Sequence, residues 1–80
     1  MSTELIKAKI KFLYEKNPII HVNVSLNHPK IQLRDVAVKI EEIYPHVFRI
    51  LEIDSGKRFT LQYTDILIGR IEVLELIEAN

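Results

Sequence analysis

Glu41-Glu42-Ile43-Tyr44-Pro45-His46-Val47-Phe48 divides the most strand-like part of the chain in two. A long extended run precedes it, and a compact hairpin and one more strand follow it. Tyr44-Pro45 is where the upstream strand must end, because the residue before proline is held extended and proline lacks an N–H for a ladder. Val47 to Ile53 then carries Val47, Phe48, Ile50, Leu51 and Ile53. Apolar residues at both parities predict a strand buried on much of both faces.

Upstream, Ile20, Val22, Val24 and Leu26 alternate with His21, Asn23, Ser25 and Asn27. That period of two predicts a half-buried strand. Asn27-His28-Pro29-Lys30 reads as a turn. The next strand runs from Ile31 to about Ile43, and its phase slips. Ile31 and Leu33 are odd, whereas Val36, Val38 and Ile40 are even. Keeping both sets on one face requires a bulge or sharp bend near Arg34-Asp35. A long, bent second strand is how a small sheet curls towards a barrel.

At the N-terminus, Ser2 and Thr3 are helix-capping types, and Glu4 suits the positive end of a helix dipole. Leu5, Ile6, Ile10 and Leu13 fall on one helical face, and Asn17-Pro18 predicts the stop. Ile6, Ala8, Ile10 and Phe12 also alternate with lysines, a strand pattern; the Ala, Leu, Lys and Glu content favours helix. Downstream of the opening stretch, Asp54-Ser55-Gly56-Lys57 is a tight connection, with Gly56 free to take positive φ. Phe59, Leu61 and Tyr63 alternate with Arg58, Thr60 and Gln62 as a strand. Thr64-Asp65 is expected to cap one helical turn through Leu67. Arg70 to Leu76 is expected to form the last strand.

The chain of 80 residues is thus expected to be one mainly β domain: an N-terminal α-helix over residues 1–17, then a small five-stranded SH3-like or Sm-like barrel over 18–77. An open five-stranded sheet with the helix across one face is the alternative. With no Cys and a thin core, a chain this short is expected to self-associate. No stretch reaches the ~18 apolar residues of a membrane span. No apolar signal segment follows the N-terminal lysines, so a cytoplasmic location without membrane contact is expected.

The residues carry no catalytic signature. No Ser sits in a strand-to-helix elbow, and Glu41 and Glu42 on a regular strand would face opposite ways. His21, His28 and His46 lack ligand spacing, and Gly56 and Gly69 make no phosphate loop. No catalytic, metal or cofactor site and no small-molecule substrate are therefore expected. Phe12, Phe48 and Phe59 read as core. Charge is balanced overall but uneven. Residues 1–40 hold seven Lys/Arg against three Asp/Glu, and residues 41–80 hold four against eight. Lys30, Arg34, Lys57 and Arg58 are the candidate contacts for nucleic acid or an acidic partner. A balanced charge is unlike a dedicated nucleic-acid binder, so that reading is not favoured. Leu74, Leu76 and Ile77, on the expected last strand, are the candidates for contact with a protein partner or a second copy, such as in a homodimer.

One family resemblance rests on two blocks. Tyr44-Pro45-His46-Val47-Phe48, preceded by Glu41-Glu42, resembles the Tyr-Pro-x-Val-Phe block of the Veg family, small cytoplasmic proteins of Gram-positive bacteria. Tyr63-Thr64-Asp65-Ile66-Leu67 followed by Ile71-Glu72-Val73-Leu74 resembles that family's Tyr-x-Asp-hydrophobic-Leu turn and terminal strand. The likeness covers about residues 18–76. It implies a non-enzymatic regulatory protein that stimulates biofilm matrix gene expression by acting on a regulator. The chain departs from the family between the first two strands. A Gly- and Arg/Lys-rich segment is usual there, and Asn27-His28-Pro29-Lys30-Ile31-Gln32 stands here with one base and no Gly.

Overall fold

The computed structural model describes residues 2–77. The order of elements is α1 (Thr3–Lys16), β1 (Ile19–Asn27), β2 (Lys30–Ile43), β3 (Val47–Glu52), β4 (Arg58–Gln62), α2 (Tyr63–Leu67), β5 (Ile71–Val73) and α3 (Leu74–Ile77). The five strands form one antiparallel sheet in the order β4-β3-β2-β1-β5. The expectation of a mainly β domain of five strands behind an N-terminal helix is met. The sheet as paired is open, with β4 and β5 at its edges, so the expected closure into a barrel is not seen.

α1 begins where capping chemistry allows. The Ser2 hydroxyl accepts the Leu5 N–H at 3.2 Å. It ends at Lys16 because Asn17 is already extended before Pro18. Ile6 and Ile10 are buried and Leu13 packs beside them, so α1 covers the core while packing against α2 and β2. Leu5 does not share that face, and Phe12 is not core. They are 46% and 57% exposed.

β1 buries Ile20, Val22 and Val24 as its alternation requires. β2 carries the bend at the expected place. Its register against β1 shifts between Val22 and Val24, which face Val36 and Leu33, leaving Arg34 and Asp35 opposite Asn23. Asp35 sits at φ +50°, and its N–H donates to Asn23 Oδ1 at 2.7 Å. The bulge therefore turns a backbone donor towards a side chain instead of leaving it unpaired. A second shift lies between Ile40 and Glu42, against β3, and makes Glu41 the extra residue. It returns Ile43 to the inner face that Val38 and Ile40 occupy. Sequence reading places only one bend in this strand and misses this second one, although Ile43 breaks the even parity of Val36, Val38 and Ile40.

β3 is more regular than expected. Phe48 and Ile50 are buried, Val47 and Leu51 are half-buried, and Ile53 lies beyond the strand, 46% exposed. Gly56, at φ +73°, makes the turn into β4, and its N–H donates to the Glu52 carbonyl at 2.8 Å.

Two expectations about the C-terminal part need correction. Tyr63 opens α2 instead of ending β4, so Thr64 and Asp65 lie inside the helical turn; the capping position is Gln62 and makes no side-chain cap bond. The last strand stops at Val73, and Leu74, Leu76 and Ile77 belong to the helical turn α3. Leu and Glu form helix readily, and Glu75 in this turn bonds the His21 backbone and ring on β1. The described residues contain no helix long and apolar enough to cross a membrane.

Candidate functional site

The bulge at Arg34-Asp35 organises a polar cleft. The Asn23 amide is held at both ends. Its oxygen accepts the Asp35 N–H, and its Nδ2 donates to Glu72 Oε1 on β5 at 3.1 Å. Beside it Gln32 Nε2 donates to Ser25 Oγ at 3.2 Å across the β1–β2 pair. These side chains and Leu33 floor a cleft of about 510 Å3, with Arg34 and Arg70 on its rim. Among the described residues neither arginine has an ion-pair partner. Two guanidiniums without ion-pair partners and the Glu72 carboxylate thus line one cleft; an arginine can offer two parallel donors to an anionic oxygen group. Sequence reading singled out Arg34 but missed Arg70, which reaches the cleft only because β5 crosses back to pair with β1. The Ser25 N–H donates to the Arg70 carbonyl at 2.9 Å.

The other basic candidates do not join this site. Lys30 opens β2 next to the β1–β2 turn and is exposed. Lys57 is exposed in the β3–β4 turn, where its N–H donates to Ser55 Oγ at 3.2 Å. Arg58 Nε donates to Glu41 Oε1 at 2.9 Å. That pair lines a different cleft with Glu42, Lys39, Arg49 and Tyr14. The second bulge is what places adjacent Glu41 and Glu42 on one cleft, against the expectation for a regular strand. Three cations among two carboxylates neutralise most of one another there, and Arg58 is 60% exposed, so the ion pair is weak.

His21 does have an orienting acid. Glu75 Oε2 lies 2.7 Å from His21 Nδ1, and Glu75 Oε1 accepts the His21 N–H at 2.8 Å. Burial pushes the Glu75 carboxyl up, but the hydrogen bonds from the His21 ring and backbone outweigh it and hold it below the ordinary glutamate range. The separation of 54 residues hid this pair from local pattern reading. Its effect is to clamp α3 onto β1. That clamp also places the apolar candidates. Leu76 packs against the core, Leu74 is half-buried and Ile77 is half exposed.

The opening stretch of the sequence lines a third cleft, of about 530 Å3. Pro45, His46 and Val47 face Thr3, Glu4 and Lys7 of α1 across it, with Gln62, Tyr63 and Thr64 between them.

The β4 edge of the sheet presents backbone groups. The Tyr63 N–H donates to the His46 carbonyl, and the Glu52 N–H to the Lys57 carbonyl. In an antiparallel ladder that parity makes Arg58, Thr60 and Gln62 direct their N–H and C=O groups away from β3. Their side chains are exposed as well. Comparison with protein-family models, curated proteins and solved structures finds no match to this chain in any of the three.

Proposed function

We propose that the chain is a non-enzymatic, Veg-like regulatory protein of the cytoplasm, a small SH3-like or Sm-like barrel that affects transcription of biofilm genes through protein contacts. The observation that carries this reading is the β4 edge. Arg58, Thr60 and Gln62 offer a run of outward N–H and C=O groups to an extended partner segment, which would add to the sheet as a sixth strand. Lys57 and Arg58 at the start of that edge favour a partner with acidic residues at the matching end. The barrel reading draws support from the two bulges in β2, since each bends the sheet in the region where β1 and β3 pair with it. The Veg likeness rests on the two sequence blocks given above.

A proline at position 60 tests the edge. The Thr60 N–H points away from β3, so Thr60→Pro removes an outward donor while leaving the β3–β4 ladder intact. Affinity capture from native cells, with and without nuclease, is expected to retain a transcription regulator on the wild-type protein. The Thr60→Pro protein, shown folded by circular dichroism, is expected to lose it. Equal capture by both proteins, or none by either, would defeat the reading.

A second reading is favoured by the cleft rimmed by Arg34 and Arg70. It would hold the phosphates of a single-stranded nucleic acid on its two guanidiniums, with Asn23, Ser25 and Gln32 as neutral hydrogen-bonding groups and Glu72 as the one carboxylate of its lining. Nuclease-sensitive capture, together with RNA binding that weakens steeply with salt and is lost in Arg34→Ala and Arg70→Ala, would select it over the first.

A further inference from the structure

We propose that α1 pairs antiparallel with α1 of a second copy of this chain, about a two-fold axis passing by Ala8. The helix has two apolar faces, whereas a surface helix normally has one. Ile6, Ile10 and Leu13 form the face that meets the core. Leu5, Ala8 and Phe12 recur at the spacing i, i+3, i+7 and form a second stripe, roughly 130° around the helix from the first at about 100° per residue. Leu5 is 46% and Phe12 57% exposed, and Ala8 between them is exposed too. Beside the stripe runs a groove of about 380 Å3 between α1 and α3, with Ala8, Phe12, Leu13 and Leu76 as its apolar lining. A long apolar side chain from a neighbouring helix would fit there.

The charges beside the stripe identify the occupant as a second copy. Glu4 and Lys11 lie on the same flank, seven positions apart. Among the described residues neither has an ion-pair partner in its own chain. When two such helices run antiparallel across Ala8, Glu4 of each meets Lys11 of the other, so one geometry makes two opposite-charge contacts. In the same register Leu5 of each copy meets Phe12 of the other, and the smallest side chain of the stripe lies at the crossing, where the backbones come closest. On the other flank the two Lys9 side chains approach each other beside grooves that Glu75 also lines, which offsets their repulsion. A parallel pairing would bring opposite flanks of the two helices together and make no Glu4–Lys11 contact.

The chain has no cysteine, so an introduced one reports geometry without background. Ala8→Cys is expected to form a disulfide-linked dimer on mild oxidation. Sedimentation of the cysteine-free wild type is expected to show a reversible dimer. Phe12→Ala should weaken it by about tenfold or more, as should Glu4→Lys or Lys11→Glu alone. The double reversal Glu4→Lys with Lys11→Glu recreates both contacts and should return the affinity to within about threefold of wild type. All these positions are exposed, and circular dichroism checks that each variant folds. A wild type that stays monomeric, an Ala8→Cys chain that does not cross-link, or a double reversal no tighter than its single parents would overturn the proposal. The inference is independent of the β4 edge: Thr60→Pro leaves this dimer unchanged, and loss of the dimer leaves edge binding to be measured on monomers.

Discussion

The Tyr63 hydroxyl donates a hydrogen bond to the Tyr44 carbonyl at 2.9 Å, and the Tyr63 ring stacks on Phe48 with centroids 5.4 Å apart. Two sequence blocks nearly twenty positions apart thus form one joint, tightened by the Tyr63 N–H bond to the His46 carbonyl. Tyr63 is 2% exposed, and burial raises its phenol above the ordinary range, partly offset by the bond to Tyr44. Tyr63→Phe keeps the stack and leaves the Tyr44 carbonyl short of a partner, so it should cost about 1 kcal/mol. Tyr63→Ala also empties the core beside Phe48 and should cost about 3–5 kcal/mol. Urea unfolding of both variants checks the ratio; equal losses would show that the stack contributes nothing.

At the first bulge, Asp35 occupies positive φ on an exposed surface. Asp and Asn tolerate that region and β-branched residues do not. Asp35→Asn should be neutral within about 0.5 kcal/mol, whereas Asp35→Val should cost about 1–2 kcal/mol although it removes no side-chain contact. Thermal unfolding of the pair measures the difference.

The clamp between His21 and Glu75 should respond to acid. Because the folded-state Glu75 carboxyl lies below its unfolded value, its contribution is fully present above the ordinary glutamate range and is lost as pH falls through the folded value. Glu75→Gln removes that contribution at neutral pH, at a cost of about 1 kcal/mol for a pair near the surface. Protection of the His21 amide, whose N–H Glu75 accepts, is measured by hydrogen exchange against the intrinsic rate at each pH and is expected to fall in acid for the wild type. In Glu75→Gln it should be lower than wild type at neutral pH and change little with pH. A wild-type protection factor that stays constant across that range would exclude the clamp.

Glu41 and Arg58 make a smaller contribution. Arg58 is mostly solvent-exposed, and exposed ion pairs add little. Glu41→Ala should change stability by less than about 0.5 kcal/mol, and added salt should erase even that. Chemical denaturation at low and high salt measures it.

Period-two alternation identifies β1, and the phase slip of β2 places the bend at Arg34-Asp35. Those signals are local, so they survive in the bare sequence. Phe12 was misjudged because apolar side chains on a helix signal burial against something, and periodicity cannot say whether that something belongs to the same chain. The last strand was drawn too long for a related reason: Leu74, Leu76 and Ile77 suit strand or helix alike, and the decision falls to Glu75 reaching His21 across 54 positions. Arg70 escaped notice because its neighbours in the cleft come from β1 and β2 through strand pairing. The candidate site is legible only once β5 is known to lie beside β1.

That pairing has a consequence for synthesis. β1 is made well before its second neighbour, the three-residue β5, which pairs Val73 with Val22, Glu72 with Asn23 and Ile71 with Val24. One side of β1 therefore stays uncovered by its own chain while β2, β3, β4 and α2 are still being added. A nascent chain of this protein carries a bare strand flank from the emergence of β1 to that of β5, and closes it only when β5 folds back.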